Sequence, residues 1–318
     1  MDKKIRILSV PLMMTLPVGY AYAEDTSMSV YPAIMQIKAN PSSYVSAPIS
    51  IRNNAKEAVT LDVLLRPFTS EPNRTGSVSF VPSGQVSKAE SEFINGIKIL
   101  DEDKEVKSIN LYPNESKNLL VTFTAPGKPM DYYLSLIFIS KPQATDSTSK
   151  DTTTTVTTGI GTNMLISIQN AKQKASGVIT EFEASKFVIN STPSMELLVT
   201  NTGNTYASVN GTISIYNIFG KQIASIPLKQ TFLLAKESRN LTTVLPQTVR
   251  NNIVWDQKFL LGAYKAKATV TFDNVYTTRA ESMFFSIPLL ILLLVSVILC
   301  VILGVLFQVV NKLNFKSK

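Results

Sequence analysis

Histidine is missing from all 318 residues. Its absence removes the Ser-His-Asp and Cys-His routes of nucleophilic catalysis and, with them, the commonest ligand of transition metals. Cysteine occurs once, at Cys300, so no internal disulfide can form. An exported protein of this sequence must be held by packed cores alone. Charged residues are sparse, 17% of the chain, and unevenly placed. Of a formal net charge of +8, the first six residues supply +2 and Lys312, Lys316 and Lys318 supply +3, which leaves +3 on everything between. The basic balance therefore belongs to the two ends. With no basic patch interleaved with aromatics, it gives no footing for nucleic-acid binding. A long helical period is also lacking between Glu24 and Ser282, which excludes a helical bundle and directs attention to strands.

Two apolar stretches are present, one at each end. Lys3, Lys4 and Arg6 precede the apolar run Ile7 to Val18, and Ala21-Tyr22-Ala23 offers a small-x-small cleavage site before Glu24. This pattern predicts a secretory signal peptide over residues 1–23. Near the other end, Ile287 to Val310 carries no charge. About 20 apolar residues in a helix cross the hydrocarbon core of a bilayer. The pattern predicts a transmembrane helix over 286–310 and a lysine-rich tail over 311–318, which the positive-inside rule places in the cytoplasm. The remaining stretch, about 260 residues, suits two domains of ordinary size.

The intervening sequence reads as short strands punctuated by turns. Val59, Leu61, Val63 and Leu65 alternate strictly, as do Leu119, Val121 and Phe123, and Tyr132, Leu134, Leu136 and Phe138. Ser77 to Val81 and Phe93 to Leu100 are shorter strand candidates. Alternation at period two with β-branched and aromatic residues marks half-buried strands. Residues 141–158 are rich in Ser and Thr, yet alternation resumes through Ile160, Met164, Ile166 and Ile168. We read a long hairpin with arms Tyr132 to Ser140 and about Thr153 to Ile168. Domain 1 then spans 24–170 and domain 2 spans 171–285, with Ala171 to Ser176 as linker. In domain 2, Asn201-Thr202-Gly203-Asn204 and Phe219-Gly220-Lys221 are turns, Leu241 to Leu245 is a strand, and Val275 to Phe285 runs straight toward the apolar segment. Both halves show a strand, an Asn-rich turn, a strand, and a late strand led by an aromatic residue. The fold class is all-β: two tandem Ig-like β-sandwich domains between a signal peptide and one C-terminal transmembrane helix.

Chemistry-bearing clusters are few. Asp101-Glu102-Asp103 with Glu105 lacks calcium-loop spacing and is broken by Lys104, so it reads as a solvated turn. Glu181 and Glu183 share a strand face, as surface carboxylates commonly do, and make a weak hydrolytic pair. Gly159-Ile160-Gly161 has no following helix to bind phosphate, and reads as a bulge or a close approach of two backbones. No catalytic, cofactor or metal residues are assigned. Tyr132, Tyr133 and Tyr206, with Tyr31 and Tyr44, are candidate ligand-stacking residues. Ser296, Cys300 and Gly304, four apart, form a small-residue face that is a candidate for self-association of two membrane helices into a homodimer.

Certain stretches carry a family likeness. They are Ile51-Arg52-Asn53-Asn54, Leu111-Tyr112-Pro113-Asn114-Glu115-Ser116, Ala125-Pro126 with Tyr132-Tyr133, Gly159-Ile160-Gly161, Asn201-Thr202-Gly203-Asn204, Phe219-Gly220-Lys221, and Leu245-Pro246 with Arg250. With the order signal, sandwich, sandwich, helix and basic tail, the chain resembles the WxL-interacting surface proteins of Gram-positive bacteria. That resemblance implies a first domain that binds peptidoglycan or partner surface proteins and a second that engages host or neighbouring cell components. Parts of the first half are also similar to the periplasmic pilus-chaperone sandwich. The expectation is a single-pass, non-enzymatic binding or adhesion protein at the cell surface, its domains extracytoplasmic, its partner a cell-wall glycan or surface protein. The alternative is an envelope scaffold or accessory subunit that pairs with its partner by strand addition.

Overall fold

A computed structural model describes residues 28–140, 158–169, 175–189, 192–244, 253–257 and 260–316. The expected signal peptide, the tip of the Thr-rich hairpin and most of the inter-domain linker lie outside these residues.

Domain 1 contains β1 (Met28–Tyr31), β2 (Ile34–Ala39), β3 (Tyr44–Asn53), β4 (Val59–Ser70), β5 (Val78–Phe80), helix α1 (Lys88–Asn95), β6 (Lys98–Asp101), β7 (Lys104–Glu105), β8 (Ser108–Leu111), β9 (Ser116–Thr124), β10 (Met130–Ser140) and β11 (Gly159–Ile168). Domain 2 contains β12 (Gly177–Ala184), β13 (Phe187–Ile189), β14 (Ser194–Asn201), β15 (Ala207–Asn217), β16 (Gln222–Pro227), β17 (Thr231–Leu233), β18 (Ser238–Asn240), β19 (Ile253–Val254), β20 (Gly262–Phe272) and β21 (Tyr276–Ile287). Helix α2 (Leu289–Lys316) follows.

Each domain is two sheets facing across one core. In domain 1 the sheets run β1-β3-β9-β6-β7 and β2-β11-β10-β4-β5. In domain 2 they run β12-β14-β18 and β13-β21-β20-β15-β16. The period-two alternation does the work: Leu134, Leu136 and Phe138 of β10 and Ala266, Ala268, Val270 and Phe272 of β20 are all fully buried, while their strand neighbours face out. The two domains share one plan. The first strand of each pairs with the third, and the short second strand crosses to the other sheet, where it lies parallel to the last strand: β2 beside β11 and β13 beside β21.

The likeness reaches individual residues. Asn53 ends β3 and Asn201 ends β14, and both are fully buried. Asn53 Nδ2 donates to the carbonyls of Glu57, Leu111 and Tyr112, and its Oδ1 accepts from Ala55 N–H. Asn201 Nδ2 donates to Thr205, Leu233 and Leu234, and its Oδ1 accepts from Gly203 N–H. The opposing turn repeats as well. Glu115 accepts from Tyr112 N–H as Glu237 accepts from Leu234 N–H, and the residue before each glutamate, Asn114 or Lys236, has a left-handed φ. The backbone N–H of each asparagine donates to the carbonyl of the matching glutamate at 2.9 Å. This is a repeated Asn–Glu corner that closes one end of each sandwich.

Some expectations need correction. Phe93 to Leu100 is not one strand: Phe93 lies in α1, and the strand starts at Lys98. Ser87 caps the helix by accepting from Glu90 N–H, and Gly96 ends it, so Ser87-Lys88-Ala89-Glu90 is a capping-box pattern. The strand expected from Leu241 ends earlier, as β18 at Asn240, followed by a single bridge between Leu228 and Thr243. No bulge interrupts β10 and β11 at Gly161; their backbones simply come close, and a Cβ there would stand 2.7 Å from the Leu136 carbonyl oxygen.

Helix α2 continues from β21 with only Pro288 between them. Its segment Leu289–Gln308 is long and apolar enough to cross a membrane by length and composition, and none of it is buried against the sandwiches.

Candidate functional site

The aromatic candidates prove to be mostly internal. Tyr132 is 5% exposed and packs against Phe93 of α1 with ring centroids 4.2 Å apart. The alternation that puts Leu134 and Leu136 in the core puts Tyr132 there too, so it is no ligand-stacking surface. Tyr206 is fully buried and corrects the same expectation. Tyr133, on the opposite face of β10, is half-buried. Tyr31 and Tyr44 are exposed.

Tyr133 and Tyr206 are brought together at the junction of the two domains, beside Asp131 at the start of β10. One carboxylate oxygen of Asp131 accepts from Tyr206 N–H at 2.6 Å and from the Tyr133 hydroxyl at 2.9 Å, and the other accepts from the Ser167 hydroxyl. Tyr133 Oη in turn accepts from Ala235 N–H of domain 2 at 3.0 Å. Phe68 and Leu165 of domain 1 and Tyr206 and Leu234 of domain 2 form a small apolar cluster around this network. Lys38 bridges to Asp273 at 3.5 Å and lies over the Tyr206 ring. Arg74 reaches Glu181 at 3.4 Å, and its carbonyl accepts from Asn240 N–H. Burial pushes the Asp131 carboxyl above the ordinary aspartate value, against the pull of its three donors and Lys38. Burial, and then the Asp131 charge, hold the Tyr133 and Tyr206 phenols protonated. The arrangement is a joint. One carboxylate oxygen of Asp131 ties domain 1 to Tyr206 of domain 2 and the other is held by Ser167 within domain 1, so both oxygens are engaged.

The acidic candidates are likewise absorbed. Glu102 and Asp103 take left-handed φ in the two-residue turn between β6 and β7, the conformation such hairpins require. Asp101 pairs with Lys117 at 2.7 Å. Glu181 is committed to Arg74, while Glu183 stands opposite Glu196. Among the described residues no group of three His, Cys, Asp or Glu could hold a metal ion.

What remains open is backbone. Strand β2 covers the outer edge of β11 only over Asn163–Ile168. Among the described residues no strand pairs with that edge from Gly159 to Gly161, where β11 continues the hairpin beyond its neighbour, while Thr162 is buried and its hydroxyl donates to the Pro32 carbonyl. Gly159 and Gly161 are exposed there. An uncovered edge is a template for another strand. On α2, Ser296 is exposed and its hydroxyl donates to the Leu293 carbonyl. Cys300 is exposed too, and nothing stands within 4 Å of the position a Gly304 side chain would take.

No protein-family model matches the chain, and no curated protein matches it. Solved structures do. The YadV chaperone is 10% identical, covering 81% of this chain and all of its own, with a TM-score of 0.38. The CupB2 chaperone of Pseudomonas aeruginosa is 9% identical, covering 80% of this chain and all of its own, at 0.37. The SafB chaperone of Salmonella enterica, solved with the SafA pilin, gives 9% identity over 83% of this chain and 98% of that one, at 0.38. None of these comparisons returns the WxL-interacting family.

Proposed function

We propose that the protein is a non-enzymatic partner-binding component of a bacterial envelope. Helix α2 anchors it, the C-terminal lysines face the cytoplasm, and both sandwiches stand outside. The observation that carries the binding role is the edge of β11 over Gly159–Gly161, with which no strand pairs on its outer side among the described residues. Backbone donors and acceptors on such an edge recognise an extended segment of another protein by adding it as a strand. This favours a surface or envelope protein as partner over a wall glycan, which offers no ladder of peptide groups. The absence of histidine supports a role in binding over one in catalysis.

The test places a photo-crosslinking side chain at Thr158 or Gly159 of the full-length protein, both exposed, with Lys56 as control, in membranes of the source cells. One discrete protein adduct from the β11 positions and none from Lys56 is expected. Absence of any adduct, together with retention of the detergent-solubilised protein on purified wall glycan, would replace strand addition by glycan adhesion.

A further inference from the structure

The outer face of the large domain 2 sheet changes character at one level across its strands. The register aligns Lys267 with Glu281, Lys265 with Met283, and Ala263 with Phe285. Lys265 and Lys267 both pair with Glu281, at 3.1 and 3.3 Å, and make a charged row. Beyond that row, toward the start of α2, several large apolar side chains are exposed. Phe285 and Met283 lie on β21, and Phe187 and Ile189 lie on β13 level with Phe285 and Ile287. Leu261 stands just before β20, and Ile218 and Phe219 form the tip between β15 and β16.

The tip is a built feature. Asn217 Oδ1 accepts from the N–H groups of Phe219 and Lys221, Gly220 takes a φ of +74°, and Gly220 N–H donates to the Asn217 carbonyl. That turn holds Phe219 out at 85% exposure, and Phe187, on the edge strand β13 at the opposite side of the sheet, stands at 78%. Exposed apolar groups gathered at one end of a domain mark an interaction surface. The end is the one where β21 passes through Pro288 into α2, so what lies next to it is whatever surrounds the first turn of that helix. Lys186 and Lys221 flank the apolar groups, the arrangement that suits anionic headgroups.

We infer that this end of domain 2 is a lipid-seated foot, with Phe219, Ile218, Phe187 and Leu261 in the interfacial layer of the bilayer that α2 crosses. The inference rests on the reading of α2 as a membrane span. It adds that the domain is wetted by lipid and oriented by it, through side chains outside the helix.

The test uses the full chain reconstituted in nanodiscs containing anionic lipid. An environment-sensitive fluorophore is placed on Cys300 of the wild type, on Phe219→Cys in a Cys300→Ala background, or on Asp103→Cys in the same background. Seated side chains lie about 5–10 Å into the headgroup and acyl boundary, so lipids with a nitroxide high on the acyl chain are expected to remove most emission from position 219 and none from position 103. Quenching at Cys300 by a deep nitroxide with none at 219 would overturn the foot and leave the span intact. No quenching at Cys300 would overturn the span itself, and the foot with it. Blue-shifted emission at 219 that no lipid nitroxide quenches would mean that protein, not lipid, covers the tip. Unchanged thermal unfolding of the Phe219→Cys chain shows that the fold is retained.

Discussion

At the scale of single residues, the two asparagines that end β3 and β14 carry more than their turns. Each replaces backbone pairing where a strand stops and satisfies three carbonyls inside the fold, and buried carbonyls left alone are costly. Asn201→Ala should therefore lower stability by about 3 kcal/mol in urea unfolding, whereas Thr60→Ala, whose partner Asn110 is exposed, should change it little. Tyr206 makes the opposite case. Its hydroxyl is buried without a hydrogen-bond partner among the described residues, so Tyr206→Phe should raise stability by about 1 kcal/mol; a comparable fall would show that the hydroxyl is satisfied after all. Asp131 supplies a pH signature. Its carboxyl is raised by burial, so the folded state disfavours the charged form. The stability it contributes is full below the ordinary aspartate value and declines as pH rises through the folded value. Asp131→Asn keeps the acceptors for Tyr206 and Tyr133 without the charge. The stability of wild type relative to this variant should rise on acidification from neutral pH toward the ordinary aspartate range. The turn positions of Asn53 and Asn201 were legible in the sequence. Their partners were not, because Leu111 lies 58 residues from Asn53 and Leu233 lies 32 from Asn201, and nothing local joins them.

At the scale of elements, the long strands were readable because one face of each is dry. Leu61, Leu136 and Val121 announce themselves by alternation. The short elements were hidden by the same logic: α1 contributes little beyond Phe93 to the core, and two turns of helix show no period long enough to separate from a strand. Ser87 and Glu90 with Gly96 were the available signal. Tyr132 shows a different failure. Its place in the core is set by the alternation it shares with Leu134 and Leu136, which outweighs the use of tyrosine at binding surfaces. Strand pairing also demands glycine where backbones converge. A Cβ at Gly211 would stand 2.3 Å from the Thr269 carbonyl oxygen across β15 and β20. Gly211→Ala should cost about 1–3 kcal/mol through forced displacement of β20, measured against Gly84→Ala, where a Cβ meets open space.

At the scale of the whole molecule, composition gave the tandem sandwiches and the terminal apolar segment, while the joint between the domains was illegible. It is assembled from Asp131, Tyr133, Tyr206 and Phe68, which stand far apart in the chain and look individually like surface or core residues. Because that joint combines a hydrogen-bonded carboxylate with an apolar cluster, the two domains should unfold as one unit in calorimetry of the detergent-solubilised protein. Phe68→Ala combined with Asp131→Ala should split the transition in two, with the cores beneath intact. A single, merely lowered transition in the double variant would mean that the coupling lies elsewhere.

The continuity of β21 with α2 has a mechanical consequence. Domain 2 receives the chain at Gly177, which packs against Phe272 at one end of the sheet, and releases it at Ile287, at the other. Tension between domain 1 and α2 therefore runs along the strands, not across them. The eleven residue pairs that join β20 to β21 are loaded together in shear and cannot be peeled one by one. A protein pulled between domain 1 and α2 would hold until that ladder failed as a whole, with its lifetime under load set by the unfolding rate of domain 2.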